Sequence, residues 1–391
     1  MENEIIICLA NAEWDWINRL NCHHIMEHLA VKNRVLFVET IGGRKLTQKD
    51  LSKVLRRIRK AFKRPRRVKE SLIVISPLVI PSYSSALILR LNNSLLYLQI
   101  QLALGSQISQ GERPILWFYL PYPAGLVGKL REKLVVYHCV DQHAANPGAA
   151  SKFFEHLECR LLQMADLVLV SSKPLYEEKG MYSNNIHYLP NVADTSLFLF
   201  KSADIPYGLK KLKRPIIGYI GNISSYKIDI DLVYDVAVKN PEWSFVFIGP
   251  VGRGDPSTDL SRLISLSNVT FLGPISRELL PAYVQAFDVC WIPFRLSQYT
   301  HYSFPLKFFE YMASGRPIIS TPLSCFFEYQ GHFRVFHNAD SFAEAVRSAL
   351  REDAQPDRVE ARLRVAKEHS WDSRMKEIES LVENALSLKG I

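Results

Sequence analysis

Lys307 and Glu310 lie three residues apart, so on a helix they share a face. The stretch from Phe304 to Pro322 reads as a tight turn, a short helix and a buried strand, with Gly315 as the helix C-cap. Ser303, Phe304, Pro305 and Leu306 form the entry to that helix, where unpaired N–H donors collect, although Pro305 itself has none. A lysine beside a helix N-terminus suits phosphate, and a carboxylate one turn on suits sugar hydroxyls. Together they suit a nucleotide-sugar. An ordinary strand–helix unit with a solvated Lys/Glu pair has the same spelling.

Other candidates sit at strand ends. Gly221, Asn222 and Lys227 occupy a loop after an apolar strand: the glycine permits close backbone approach, the amide offers hydrogen bonds, and the lysine has the reach for a pyrophosphate. Gly249 ends the next strand before a glycine-rich loop carrying Arg253. Arg295, after a third strand, suits a phosphate clamp or a plain surface position. In the first half, His138 and Asp141 end the strand Tyr137–Asp141, where they can bind or polarise an acceptor hydroxyl; a lone histidine there is as often a satisfied core residue. Trp14 and Asp15, and separately Tyr119 and Pro121, follow strands in the same half and suit either a cleft wall or packing.

Several chemistries are disfavoured. The sequence has no GxGxxG, no GxxxxGK[ST] and no nucleophile elbow. The eleven histidines form no HExxH, and His23, His24 and His28 have no third ligand beside them. The six cysteines are scattered without CxxC spacing, as suits buried thiols in a reducing compartment. Asp229-Ile-Asp231 is a DxD by spelling only and stands where a helix should start, so capping explains it better. No metal site is expected.

The elements that must position these residues alternate as strand and helix over 391 residues, a length that suits two domains. Apolar strands at 5–9, 34–39, 72–80, 114–120, 134–139, 167–171 and 186–189 belong to the first. The pattern restarts at Ile216 with strands at 216–220, 243–249, 269–272, 289–293, 317–320 and 333–336. The expected organisation is an N-terminal domain over 1–197, a linker over 198–215, a C-terminal domain over 216–370 and a closing helix over 371–391. Parallel sheets in both would place ligands at the carboxyl ends of the strands, in a cleft between the domains.

The formal charge of +9 is local: residues 49–69 hold eleven Lys/Arg and one Asp. Leu51, Val54, Leu55, Ile58 and Phe62 recur at helical spacing with Lys53, Arg56, Arg57, Arg59, Lys60 and Lys63 between them. The pattern predicts a basic amphipathic helix over 51–62, ended near Pro65. An anionic membrane surface is its best partner, through residues 51–69; a core-packing helix with a solvated basic face is the alternative. Few aromatics are interleaved and no nucleic-acid motif is present, so nucleic acid is not expected. The acidic start, Met-Glu-Asn-Glu, and the lack of an 18-residue apolar run give the expectation of a cytoplasmic protein, peripheral on the inner face of the plasma membrane.

Taken together, these segments resemble the GT-B glycosyltransferases of the retaining family 4, and within it the teichuronic acid glycosyltransferase branch. The resemblance runs over nearly the whole chain: Trp14-Asp15, Arg34–Glu39, Trp117–Pro121, Tyr137–Asp141, Ala165–Ser172, Leu189–Asp194, Gly218–Gly221, Trp243–Gly249, Ile292–Arg295 and Pro305–Tyr311. It implies two Rossmann-like βαβ domains facing across a cleft. It implies transfer of a sugar, with retention, from a UDP- or GDP-sugar on the C-terminal domain to a glycan or lipid-linked envelope acceptor held mostly by the N-terminal domain, without an obligatory metal or other cofactor. Asp141 and His138 would then face the acceptor. Lys307, Arg295 and the N–H groups around Phe304–Leu306 would stabilise the leaving diphosphate, with Gly221, Asn222, Lys227 and Gly249 around it. Glu310 matches the second glutamate of the family's Glu-x₇-Glu motif and would hold the ribose. Tyr302 stands where the first glutamate is expected, a departure that bears on sugar preference. The competing readings are a GT-B sugar-nucleotide epimerase or hydrolase and a non-catalytic GT-B subunit that binds a partner. Oligomeric state is not legible.

Overall fold

The computed structural model describes residues 1–16, 19–40, 65–80, 85–105, 111–142, 151–199 and 205–391. The chain divides into two compact units, one of Met1–Pro190 with Met375–Ile391, the other of Asn191–Arg374.

Unit 1 is built on eight strands: β1 (Ile5–Leu9), β2 (Arg34–Val38), β3 (Arg66–Lys69), β4 (Leu72–Ile75), β5 (Ile115–Phe118), β6 (Leu134–Cys139), β7 (Leu167–Val170) and β8 (Ile186–Tyr188). Their order is β3-β4-β2-β1-β5-β6-β7-β8. All pairs are parallel except β3–β4. The central strands are buried along their whole length, which explains why they read as unbroken apolar runs rather than as alternation. The chain leaves β1 on one side for β2 and returns on the other to β5, so the topological switch point lies between β1 and β5.

Two elements differ from the sequence reading. The strand expected over 72–80 ends at Ile75, because Pro77 has no N–H to give the ladder. The last part of the basic run, Arg66–Lys69, is an exposed antiparallel edge strand that a run of charge conceals. The helix expected over 51–62 lies outside the described residues.

Unit 2 carries β9 (Ile216–Ile220), β10 (Ser244–Ile248), β11 (Val269–Gly273), β12 (Val289–Ile292), β13 (Ile318–Ser320) and β14 (Arg334–Val335). They form one parallel sheet in the order β11-β10-β9-β12-β13-β14, with its switch point between β9 and β12. Phe245, Phe247, Trp291 and Phe342 pack as tilted rings through its core. Gly218 is the one residue type that fits mid-β9, since a Cβ there would stand 2.1 Å from the Phe287 ring. Asp229 caps the helix Ile230–Lys239 by accepting from the Leu232 N–H at 3.2 Å, the structural role its place in the sequence suggested.

The division between the units falls at Pro190/Asn191 rather than within 198–215. Phe198 and Leu209, both in the expected linker, are buried in the core of unit 2. The last helix, Trp371–Leu388, starts in unit 2, and from Met375 onward it belongs to unit 1, where Lys389 pairs with Asp166 at 2.8 Å.

Candidate functional site

The carboxyl ends of β9 and β12 meet at the switch point of unit 2, where a parallel sheet presents its ligand crevice. Here the backbone is drawn tight. Gly221 and Gly249 both have φ near +140°, and a Cβ on Gly249 would stand 2.1 Å from the Gly221 carbonyl oxygen. The loop after β9 is tied to the loop after β12 by an antiparallel bridge between Ile228 and Phe294, and the Arg295 N–H donates to the Lys227 carbonyl at 2.8 Å. The backbones of Gly221, Asn222, Lys227, Gly249 and Arg295 therefore stand at this edge of the sheet, with the Arg295 side chain exposed, and the helix Lys307–Ala313 adds Lys307 and Glu310.

Lys307 is the centre of this group. Its Nζ donates to Tyr219 Oη at 2.6 Å and lies 4.0 Å from the Tyr219 ring centroid and 4.9 Å from that of Phe294. A Cβ on Gly221 would come within 2.6 Å of the same Nζ, so the glycine leaves the ammonium its place. Burial of that ammonium pushes its pKa well below the ordinary lysine value; the charge of Lys227 adds to the effect and Glu310 opposes it. Lys227 is held between the rings of Tyr226 and Tyr299, at 5.4 and 5.3 Å. Two lysines thus stand close enough for the charge of one to lower the pKa of the other, an arrangement suited to a multiply charged anion.

Glu310 is buried, and burial raises its carboxyl pKa against the opposing pull of Arg277 and Lys307. Arg277 Nη1 stands 3.3 Å from Glu310 Oε1. This arginine was not singled out in the sequence, because it comes from a loop 33 residues away. Tyr219 was missed for a different reason: inside β9 it reads only as core.

At the helix entry, the N–H groups of Phe304, Leu306 and Lys307 make no backbone hydrogen bond among the described residues. Pro305 and Leu306 are half-buried there. The Phe304 side chain points away into an aromatic cluster with Phe308, Phe309, Phe326 and Tyr329, so only its backbone can serve a ligand. Asn191 Nδ2 donates to its carbonyl at 2.8 Å and fixes the turn. Tyr302, half-buried at the end of the short helix Gln298–Tyr302, meets His301 edge-on at 5.1 Å.

An acidic knot holds the glycine-rich loop against this site. Asp255 accepts from Ser225 Oγ at 2.5 Å, Ser257 Oγ at 2.5 Å and Thr258 Oγ1 at 3.0 Å. Burial alone would raise the Asp255 carboxyl, but these hydroxyl donors prevail and hold its pKa at about 2. Asn222 Nδ2 bridges to Ser224 Oγ at 2.8 Å and to the Arg253 carbonyl at 2.7 Å, while the Arg253 side chain stays exposed.

In unit 1 the candidates separate. Asp141, partly exposed just beyond β6, stands at the carboxyl edge of the sheet. His138 is an interior side chain, 2% exposed and stacked on Tyr119 at 5.1 Å. Trp14 is packing: buried, with the rings of Phe37 and His23 at 4.9 and 5.7 Å, while its backbone N–H donates to Glu39 Oε1 at 2.8 Å. Asp15 pairs with Arg66 at 2.8 Å. Behind Asp141 a buried network joins Lys179 to Glu158 at 2.8 Å, with Tyr137 Oη donating to Glu158 at 2.6 Å. A cavity of about 840 Å³ lined by Asn33, Arg34, Glu70 and Glu112 opens at the opposite, amino ends of β1 and β2, away from these residues. Among the described residues no group of three or more His, Cys, Asp or Glu could hold a metal ion.

Comparison with known proteins bears on both units. The profile for "Glycosyl transferases group 1" matches residues 214–352, the greater part of unit 2. The chain is 28% identical over 289 residues to a Bacillus subtilis (strain 168) protein provisionally named as the teichuronic acid biosynthesis glycosyltransferase TuaH; the match spans 69% of this chain and 72% of that one. Its fold is similar to that of sucrose-phosphate synthase from Thermosynechococcus elongatus, with a TM-score of 0.73 at 17% identity over 99% of this chain and 100% of the other. It is also similar to HepE of Anabaena, solved with UDP and glucose, with a TM-score of 0.70 at 14% identity over 98% and 100%.

Proposed function

We propose, for a chain that belongs to the GT-B glycosyltransferases of group 1, that unit 2 binds a UDP- or GDP-sugar and that the enzyme transfers the sugar with retention to a lipid-linked or envelope glycan. The observation that carries this reading is the convergence of Lys307 and Lys227 on the glycine-pinched ends of β9 and β10.

The diphosphate lies against Lys307, Lys227 and the open N–H groups of Leu306 and Lys307. Glu310, steadied by Arg277, accepts from the ribose hydroxyls. As the bond from the anomeric carbon to the diphosphate breaks, negative charge grows on the leaving oxygen, and two cations already in place stabilise it. Lys307 begins with a lowered proton affinity because it is buried beside Lys227. The incoming diphosphate, a negative charge beside the ammonium, acts in the opposite direction and favours the charged form. With retention, the leaving phosphate itself takes the acceptor proton on the face it departs from, and no protein nucleophile is required. Asp141 on unit 1 orients the acceptor hydroxyl, and His138 supports the wall behind it through Tyr119. Tyr302 sets which sugar hydroxyls are tolerated.

The acceptor class follows from the TuaH likeness and from the basic run 49–69, which suits work at the cytoplasmic face of an anionic membrane. The test is to incubate the protein with UDP- and GDP-sugars and bacterial lipid-linked glycans, then read nucleoside diphosphate release and the anomeric coupling of the product. Donor-dependent release with an axial-type product from an axial donor supports the reading. Inverted product removes the retaining mechanism, and release without any sugar transfer points to hydrolysis.

A further inference from the structure

The helix Ala86–Leu104 is turned inside out in polarity. It buries Asn92 and Asn93 along with Leu96, Ile100 and Leu104. It exposes Leu87, Leu91, Leu95, Leu98 and Leu102, each between 39% and 81% accessible. Their spacing of four, four, three and four residues places all five on one stripe. At 19 residues the helix is roughly 28 Å long.

The buried amides explain how the fold tolerates this. Asn92 Oδ1 accepts from the Ile80 N–H at 2.7 Å, and its Nδ2 donates to the Ile80 carbonyl at 2.9 Å. Gln99 grips Leu78 in the same two-sided way, at 2.7 and 3.0 Å. The segment after β4 is thereby laid along one flank of the helix, and Leu78 and Ile80, 37% and 41% exposed, widen the apolar surface. Five leucines on one stripe, opposite amides of which Asn92 and Gln99 are each bonded on both sides to the segment after β4, are a maintained surface, not a packing defect.

Charge identifies the occupant. Residues 71–111 contain a single charged side chain, Arg90, on the flank of the stripe away from Leu78 and Ile80. Immediately upstream stands the run of eleven Lys/Arg against one Asp, whose described end, Arg66, Arg67 and Lys69, lies exposed on β3. An uncharged leucine face in a chain whose preceding segment is strongly basic complements acyl chains beneath anionic headgroups. A second copy of the chain fits less well. The positions flanking the stripe are Asn92 and Gln99, already engaged, the uncharged Ser94 and Gln101, and Arg90, which has no acidic residue on the helix to pair with in a second copy, so no complementary charge fixes the register of a helix pair.

We infer that the leucine face of Ala86–Leu104, widened by Leu78 and Ile80, inserts into the outer part of an anionic bilayer and seats unit 1 on the membrane. It lies on the bilayer rather than across it, since no described helix is long and apolar enough to span one. Asn93 Nδ2 donates to the Tyr122 carbonyl, which places the amino half of the stripe at the carboxyl edge of the sheet, where Tyr119 and Asp141 stand. The seated face and the acceptor residues thus share one end of unit 1. This inference rests on the proposed membrane acceptor.

The experiment is co-sedimentation of the full chain with phosphatidylglycerol/phosphatidylcholine vesicles at low and high salt. It compares wild type with Leu91→Ser/Leu95→Ser/Leu98→Ser and with Arg66→Glu/Arg67→Glu/Lys69→Glu, each checked for an unchanged thermal midpoint. We expect the serine triple to partition at least about tenfold more weakly and to lose its remaining binding in salt. Wild-type binding that the serine triple matches overturns the leucine inference and leaves the membrane reading standing on the basic run. Wild type that ignores the vesicles overturns both. A wild-type dimer in sedimentation velocity that the serine triple dissolves assigns the face to a second copy and overturns the inference.

Discussion

Replacing Lys307 with methionine should make the protein worse at its reaction and better at staying folded. Lys307 is half-buried, its ammonium faces the like charge of Lys227, and Tyr219 Oη is its hydrogen-bond acceptor. A group whose pKa is lower folded than unfolded binds fewer protons in the native state. It therefore lowers stability most below its folded pKa, and stability recovers as pH rises through that value toward the unfolded one. Methionine keeps the stem and removes this penalty. The hydrogen bond lost to Tyr219 offsets about 1 kcal/mol of the gain. The variant should be more stable than wild type at neutral pH, and the rise of wild-type stability with pH should flatten in it. Turnover goes the other way. A preorganised charge on a leaving group is worth about 3 kcal/mol, so kcat should fall on the order of 100-fold. Donor binding should also take up a proton in the wild type, weaken as pH rises, and lose both properties in the variant. The assays are denaturant unfolding at several pH values, donor turnover, and calorimetry in buffers of different ionisation enthalpy. A variant that unfolds more easily while turning over normally would refute the reasoning, since Lys307 would then be a structural residue.

Gly249→Ala should destabilise unit 2 by about 2–4 kcal/mol and abolish donor binding, because its Cβ would strike the Gly221 carbonyl and its φ of 140° strains any side chain; an unchanged melting temperature would contradict the pinched geometry. Asp255→Asn should flatten the pH dependence of unfolding. The wild-type carboxylate, held at about 2, contributes stability that is present above the unfolded carboxyl pKa and lost as pH falls from about 4 toward 2. After allowance for solvent screening the difference is about 1 kcal/mol, read from acid unfolding of the two proteins. Lys179→Met should cost about 3–5 kcal/mol by leaving Glu158 charged and buried, and the double variant Lys179→Met/Glu158→Leu should recover most of it in thermal unfolding.

The alternation of unbroken apolar strands with helices was legible because buried parallel strands need apolar residues on both faces, and this located nearly every central strand of both sheets. Lys307 and Glu310 were legible because one helical turn puts them on one face. Their partners were not: Tyr219 looks like core, and Arg277 reaches Glu310 only through the fold. The glycines at 221 and 249 announced a turn but not that their backbones press on each other. Asn92 and Gln99 interrupt an apolar run in the sequence, where nothing shows that they are the groups that tie Leu78 and Ile80 to the helix. Trp14 and His138 carried chemistry by type alone, and their burial among aromatic rings makes packing their first role.

The central claim is that unit 2 holds a nucleoside-diphosphate sugar through Lys307 and Glu310. The direct measurement is ligand-observed NMR of the protein with UDP-, GDP-, ADP-, CMP- and dTDP-sugars, repeated with Glu310→Ala. The account expects selective saturation transfer to a UDP- or GDP-sugar that the variant loses. Equal transfer to all five, or selective binding that survives Glu310→Ala, would contradict it.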